Sequence, residues 1–373
     1  MERVCNKAGK RDEKGDRLKI AWISVMPPLT DGIAEYSFNL LNELKKDKRL
    51  KIVVIAQKNP KSNIKGLRVL NCWEKNSQIS YEIINALEKE KPDIVHVQFL
   101  AGMYEKKNLP YLIKLFSYLK KFRTFATIHS DIEEIPFKII FSHLFFRNIN
   151  RFFVLDEYQK EALNKKFGID RSKITKIPHG CYKKKKQPVK PKGNKLLCFG
   201  FIRRSKGIAE IIRAFKKVSE EVPDTQLLIC GKCEDDNYLN EIKKEIKNLK
   251  LEDKIKIINK FLNEQEISKY FSEATLIVEF LTGEEGPSGS VNMATAFRKA
   301  SVCADTAYLS EYVKNSKAGL IVPKKDSAKL SDTIIRLLRN RKEIIRMEKN
   351  AERYCKMNSF EEVAKKIAEE YKK

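Results

Sequence analysis

The chain has 373 residues, 42% of them hydrophobic, enough to bury two cores of comparable size, so two domains are the default organisation. Its formal charge of +26 lies mostly on lysines spread along the whole length, which favours anionic partners such as nucleotides, acidic lipids or nucleic acid. Eight cysteines without disulfide or metal spacing, no apolar run of bilayer length and no signal-peptide core in residues 1–17 exclude a disulfide framework and predict a cytoplasmic protein.

Residues 1–17 are charged and without periodicity, and are expected to be a disordered tail. Residues 18–25 form an apolar run that ends in a turn-rich loop around Pro27, Pro28, Asp31 and Gly32. Residues 33–46 then place Ile33, Tyr36, Leu40, Leu41 and Leu44 at helical spacing. The alternation continues with strand 51–56, helix 81–88, strand 93–97, helix 109–121, strand 124–128 ending at His129, and strands 151–155 and 174–177. This pattern predicts a doubly wound α/β domain over residues 18–182. Residues 183–194 are basic, carry two prolines and lack apolar periodicity, which reads as a linker.

Beyond the linker the alternation restarts over residues 195–358. Strands are expected at 195–200, 226–230, 254–258 and 275–280, and helices at 208–218, 239–249 and 267–271. Residues 359–373 form an amphipathic helix able to return to the first domain. Two Rossmann-like units joined by one linker imply a cleft lined by loops at the carboxyl ends of the strands. Within the second unit, residues 282–298 combine Gly283, Gly286, Gly289, Pro287, Ser288 and Ser290 ahead of an Ala-rich helix. That arrangement suits a phosphate cradle of backbone N–H groups and a helix N-terminus, or an ordinary helix cap at Ser288 or Ser290. Cys230 and Cys233 have redox-motif spacing, but they end a strand with no second motif beside them.

The order of these motifs resembles a known family. LLCFGFIRRSKGIAEIIRAFKKVSEEVPDTQLLICG and LEDKIKIINKFLNEQEISKYFSEATLIVEF look like the donor-binding domain of the group 1 glycosyltransferases, retaining enzymes of the GT-B fold. MPPLTDGIAEYSFNLLNEL and KITKIPHG resemble the family's first loop and helix and the end of its N-terminal domain. The resemblance implies a nucleotide-diphosphate sugar as donor substrate, no cofactor or metal, a hexosyl group moved with retention of configuration, and a glycan, lipid-linked or other hydroxyl acceptor.

It also implies a site. Glu285 falls on the first of the family's two glutamates, beside the donor sugar, and Met293 stands where the second would hold the ribose. Asn292 is a candidate substitute. Lys206 before Gly207 matches the family's phosphate-binding lysine; the arginine expected earlier is replaced by Phe201, with Arg203 and Arg204 following at once. Gly289 and Ser290 would add backbone N–H groups, Gly32 would admit the donor closely, and His129 matches a histidine that contacts the transferred sugar. Glu285 and His129 are the catalytic candidates; the departing diphosphate would help to deprotonate the acceptor, and Glu234-Asp235-Asp236 reads as a polar turn and not a metal motif.

Segments 109–125 and 135–153 mix Phe, Ile and Leu with Lys and Arg, as an interfacial helix on an anionic membrane surface would, or a core helix burying one face. Nucleic acid is not expected as a partner, because the lysines are dispersed and not gathered in a stripe. The loss of a glutamate at Met293 leaves a second possibility, a catalytically inactive relative that keeps the fold as a binding subunit.

Overall fold

The computed structural model of the chain describes residues 17–29, 31–74, 76, 78–99, 109–129, 146–182, 193–283 and 288–373. The N-terminal tail to residue 16, the linker residues 183–192, residues 135–145 of the second proposed interfacial segment, and Glu285 lie outside them. Contacts divide the chain into two compact units. One holds Met1–Phe153, Leu163–Thr175 and Ala364–Lys373; the other holds Val154–Ala162 and Lys176–Val363.

The first unit is built on a sheet in the order β3-β2-β1-β4-β5-β6-β7, with β1 (Leu18–Ile23), β2 (Leu50–Gln57), β3 (Arg68–Trp73), β4 (Ile94–Phe99), β5 (Arg123–Ile128), β6 (Arg151–Val154) and β7 (Ile174–Lys176). The paired strands β1 to β6 run parallel. β4 is buried at every position, as a parallel strand covered on both faces must be. α1 (Gly32–Leu44) follows β1, α2 (Ile79–Glu90) follows β3, and α3 (Leu109–Leu119) follows β4, packing on α2. Leu112, Leu115, Phe116 and Leu119 of α3 are buried, so this part of the first proposed interfacial segment spends its apolar face on the core. α4 (Glu157–Phe167) links β6 to β7.

The second unit repeats the scheme in the order β10-β9-β8-β11-β12-β13, with β8 (Asn194–Phe199), β9 (Thr225–Cys230), β10 (Ile255–Ile258), β11 (Leu276–Glu279), β12 (Ala300–Ala304) and β13 (Gly319–Val322), all parallel. β8 begins at Asn194, the last residue read as linker. Between and after these strands come, in chain order, α5 (Ile208–Glu221), α6 (Asp236–Asn248), α7 (Glu264–Glu273), α8 (Gly289–Ala296), α9 (Ala307–Ser316), α10 (Ser327–Arg339) and α11 (Arg341–Met357); the last helix, α12 (Phe360–Lys372), belongs to the first unit from Ala364 on. Residues of α5, α6 and α10 share one core with the strands, while Leu281, Val291, Cys303, Tyr308, Leu309 and Tyr312 form another beside α8 and α9. Asp235 caps α6 by accepting from Tyr238 N at 3.0 Å, so the acidic turn 234–236 is used as a helix start. Cys230 is buried at the end of β9, and burial pushes its thiol up to about 12, far from the thiolate that redox chemistry uses.

The carboxyl ends of β8 and β9 meet closely. Gly231 has φ +151°, and a Cβ there would lie 1.8 Å from the carbonyl oxygen of Gly200. Gly231→Ala should therefore lower stability by about 2–4 kcal/mol, the sum of backbone strain and overpacking. Urea unfolding checks this, and an unchanged midpoint would contradict the close approach.

Candidate functional site

Each sheet reverses its strand order at its first strand. In the second unit, β9 and β10 lie on one side of β8, and β11, β12 and β13 on the other, so the crevice between β8 and β11 is a topological switch point. The two segments singled out in the sequence are the loops leaving these two strands.

They touch each other. Thr282 N donates to the carbonyl of Ser205 at 2.9 Å. Gly207, with φ +60°, allows the close approach: a Cβ there would meet the Phe280 oxygen at 2.1 Å. Residues 204–206 form a 3-10 turn, so successive side chains point about a third of a turn apart. Arg204 consequently leaves the crevice. Its guanidinium holds Glu241 of α6 with two bonds of 2.7 Å and lies over the Tyr238 ring at 4.7 Å. Arg203 is exposed at the start of the turn. Lys206 turns inward, its side chain 10% exposed, and its ammonium pairs with Glu279 at the end of β11, whose side chain is fully buried.

Glu279 organises the crevice, although the sequence reading passed over it as part of a strand. One carboxylate oxygen, Oε1, accepts from both Lys206 Nζ and Ser288 Oγ, the latter at 2.7 Å. The other oxygen, Oε2, is buried and has no hydrogen-bond partner among the described residues; the same is true of Ser290 Oγ. The available signal was a lone carboxylate in the apolar run 276–281.

Ser288 occupies the N-cap position of α8, but its hydroxyl goes to Glu279 and makes no cap hydrogen bond. The first turn of α8 also carries no acidic residue. Neither the Ser288 hydroxyl nor a first-turn carboxylate therefore competes for the amides at the positive end of this helix, an arrangement that suits an anion. α1 in the first unit is the opposite case. There the Asp31 carboxylate accepts from Ile33 N at 2.8 Å and Ala34 N at 3.2 Å, closing that helix end, with Gly32 at its first position and open space beside it.

Gly289 likewise has open space where a side chain would begin. Met293 is 5% exposed, on the buried part of α8. Asn292 is turned inward, its Nδ2 donating to Ser288 O at 3.0 Å and its Oδ1 accepting from Tyr308 at 3.4 Å, so its amide is used inside the fold. Lys206 is thus joined through Glu279 to Ser288, next in the chain to Gly289 and Ser290, whereas Arg204 is turned to Glu241.

His129 lies in the first unit, at the end of β5 and next to the switch strands. Its Nε2 is 2.7 Å from Gln98 Oε1, and its ring meets Tyr36 edge-on at 4.8 Å. Gln98 in turn contacts His96, which is fully buried and held by burial at a pKa of about 3.

Residues 182–354 match the family Glycosyl transferases group 1, and residues 30–182 match Glycosyltransferase Family 4. No curated protein matches the chain. Among solved structures it is similar to a glycosyltransferase from Rickettsia africae, at 18% identity and a TM-score of 0.77 over 95% of this chain and 98% of that one. It is similar to HepE from Anabaena, solved with UDP-glucose, at 14% identity and a TM-score of 0.73 over 95% and 99%. It is also similar to sucrose-phosphate synthase from Thermosynechococcus elongatus, at 16% and 0.77 over 95% and 98%. The fold is that of the GT-B proteins, α/β with two Rossmann-like domains. The chain belongs to the group 1 glycosyltransferases.

Two outcomes follow from the buried groups. Glu279→Ala leaves the Lys206 ammonium buried and unpaired, and should cost about 3–5 kcal/mol in urea unfolding, most of it recovered when Lys206→Met is added. A single-variant cost below about 1 kcal/mol would show that the pair is not buried. His96 has its folded pKa depressed from 6.5 to about 3 by burial, so the unfolded chain takes up the proton first as pH falls. Its contribution is present above pH 6.5 and is lost toward pH 3, with a slope of up to about 1.4 kcal/mol per pH unit. Unfolding at a series of pH values should show a shallower slope in His96→Gln than in the parent; equal slopes would contradict the burial.

Proposed function

We propose that the chain transfers a hexosyl group from a nucleoside-diphosphate sugar to an acceptor hydroxyl with retention of configuration. The observation that carries this reading is the open N-terminus of α8 beside Lys206 at the switch point of the second sheet. Backbone amides and one fixed cation make a site for a diphosphate, whose charge grows as the sugar leaves. Support also comes from HepE, which was solved with UDP and with UDP-glucose.

In the proposed reaction the acceptor oxygen bonds to the anomeric carbon on the face from which the bond to the β-phosphate oxygen breaks. The nucleoside diphosphate departs and takes up the acceptor proton. Lys206 and the first-turn amides of α8 hold the leaving group without calling on a metal or a cofactor. His129 and Glu285 stay the candidates for contact with the sugar. The acceptor offers a hydroxyl of a glycan, a lipid-linked or another molecule, and a chain of charge +26 suits work at the anionic inner face of a membrane. Among the described residues no helix is long and apolar enough to cross a membrane.

Met293, buried where the family's ribose-binding glutamate falls, favours one competing reading: a relative that binds nucleotide without turnover. Calorimetric titration with uridine, guanosine and adenosine diphosphates, followed by turnover assays with the matching sugars, separates the two. Saturable binding of at least one nucleotide with sugar transfer is expected, and Glu285→Ala should reduce kcat on the order of 10²–10³-fold. Binding without transfer would favour the inactive reading, and the absence of any nucleotide binding would overturn both.

A further inference from the structure

β4 carries His96 and Gln98 two positions apart, so both side chains leave the same face of the sheet. Its register with β5 pairs His96 with Phe125 and Gln98 with Thr127, and two residues beyond Thr127, just past the end of β5, comes His129, whose N donates to Phe99 O at 2.8 Å. The period of two on adjacent strands thus lines up His96, Gln98, Thr127 and His129. All but His129 are buried to within 1%.

Four polar side chains in such a place must satisfy one another. His129 Nε2 is 2.7 Å from Gln98 Oε1, and Gln98 Nε2 is 3.1 Å from His96 Nε2 and 3.4 Å from Thr127 Oγ1. His96 Nε2 also meets Thr127 Oγ1 at 2.8 Å, and His96 Nδ1 contacts the hydroxyl of Tyr371 on α12. The His96 ring is fixed between Trp22, 4.3 Å away, and Phe153, 5.5 Å away.

The directions of these bonds are linked. Gln98 presents its amide N–H₂ to His96 Nε2, so that nitrogen accepts, and the one proton of a neutral imidazole must sit on Nδ1, facing Tyr371. Burial keeps His96 neutral, with its pKa lowered to about 3. The same amide, having given its N–H₂ to His96, offers only its oxygen to His129. An oxygen accepts and cannot donate, so His129 Nε2 carries a proton.

We propose that Gln98, held by Thr127 and by a His96 that Tyr371 fixes in turn, is a positioning residue that fixes the ring plane of His129 and its Nε2–H tautomer, leaving Nδ1 as the nitrogen with the lone pair. Its effect on catalysis rests on the reading of His129 as a sugar-contacting residue; its effect on the tautomer does not. C-terminal helix α12 becomes part of the device through Tyr371, although it lies 275 residues from His96 in sequence.

The test is nitrogen NMR of the chain labelled in histidine, with signals assigned through His129→Asn and His96→Gln. In the parent protein, at a pH where His129 is neutral, its Nε2 should show the protonated signature and its Nδ1 the unprotonated one. In Gln98→Leu the two nitrogens should move toward a common averaged signature. A parent His129 that is already averaged, or that carries its proton on Nδ1, overturns the proposal whatever the turnover. Gln98→Glu, which keeps an acceptor facing His129, should retain the Nε2–H signature and serves if the leucine variant does not fold; its loss there would also overturn the proposal. In the turnover arm, Gln98→Leu should lower kcat on the order of 10–100-fold while nucleoside diphosphate affinity, carried by the second unit, stays at the parent value. If His129→Ala itself turns over at the parent rate, the sugar-contacting role falls, and the tautomer measurement still decides for or against Gln98.

Discussion

The ion pair between Lys206 and Glu279 is the constraint on which the second unit's crevice depends. Two charges removed from water are unfavourable unless each is matched, and here one carboxylate oxygen serves a lysine from the loop after β8 and a serine from the loop after β11. The consequence is geometric. Two loops that leave neighbouring strands at the switch point are tied at their bases, and the lysine approaches the helix end with its stem buried and not waving in solvent. Gly207 makes this possible by letting the backbone pass against Phe280.

The pair also changes what the helix end can do. Had Ser288 capped α8 in the ordinary way, its hydroxyl would have satisfied amides of the first turn. By holding Glu279 instead, it does not cap them, and the absence of an acidic residue in that turn removes the usual internal competitor for those amides. α1 follows the same strand, loop and helix pattern in the first unit, yet Asp31 closes it. Two helices of one architecture thus differ in whether the N-cap side chain closes their positive end.

Much of the fold was legible because parallel strands buried on both faces read as apolar runs, and the helices between them as three- and four-residue periodicity. β3 was not, since Arg68 to Trp73 is an edge strand of half-buried residues with Asn71 and Cys72 interrupting the run. α4, polar along most of its length, gave no apolar period either. The site was legible where spacing alone places a residue, as for Lys206 beside Gly207, and illegible where direction matters. Nothing in Arg203-Arg204-Ser205-Lys206 tells that the 3-10 turn sends Arg204 to Glu241 and Lys206 inward. Glu279 and Tyr371 were missed because their partners lie 73 and 275 residues away, beyond any local pattern.

The central claim is that the open end of α8 and the tethered Lys206 receive the diphosphate of a nucleotide-sugar donor. A crystal structure of the chain with a bound nucleoside diphosphate tests it most directly. The account predicts phosphate oxygens within hydrogen-bond distance of Lys206 Nζ and of the Gly289 and Ser290 amides, with Arg204 still on Glu241. A diphosphate seated elsewhere, with Lys206 untouched and the α8 amides turned to water, would contradict it.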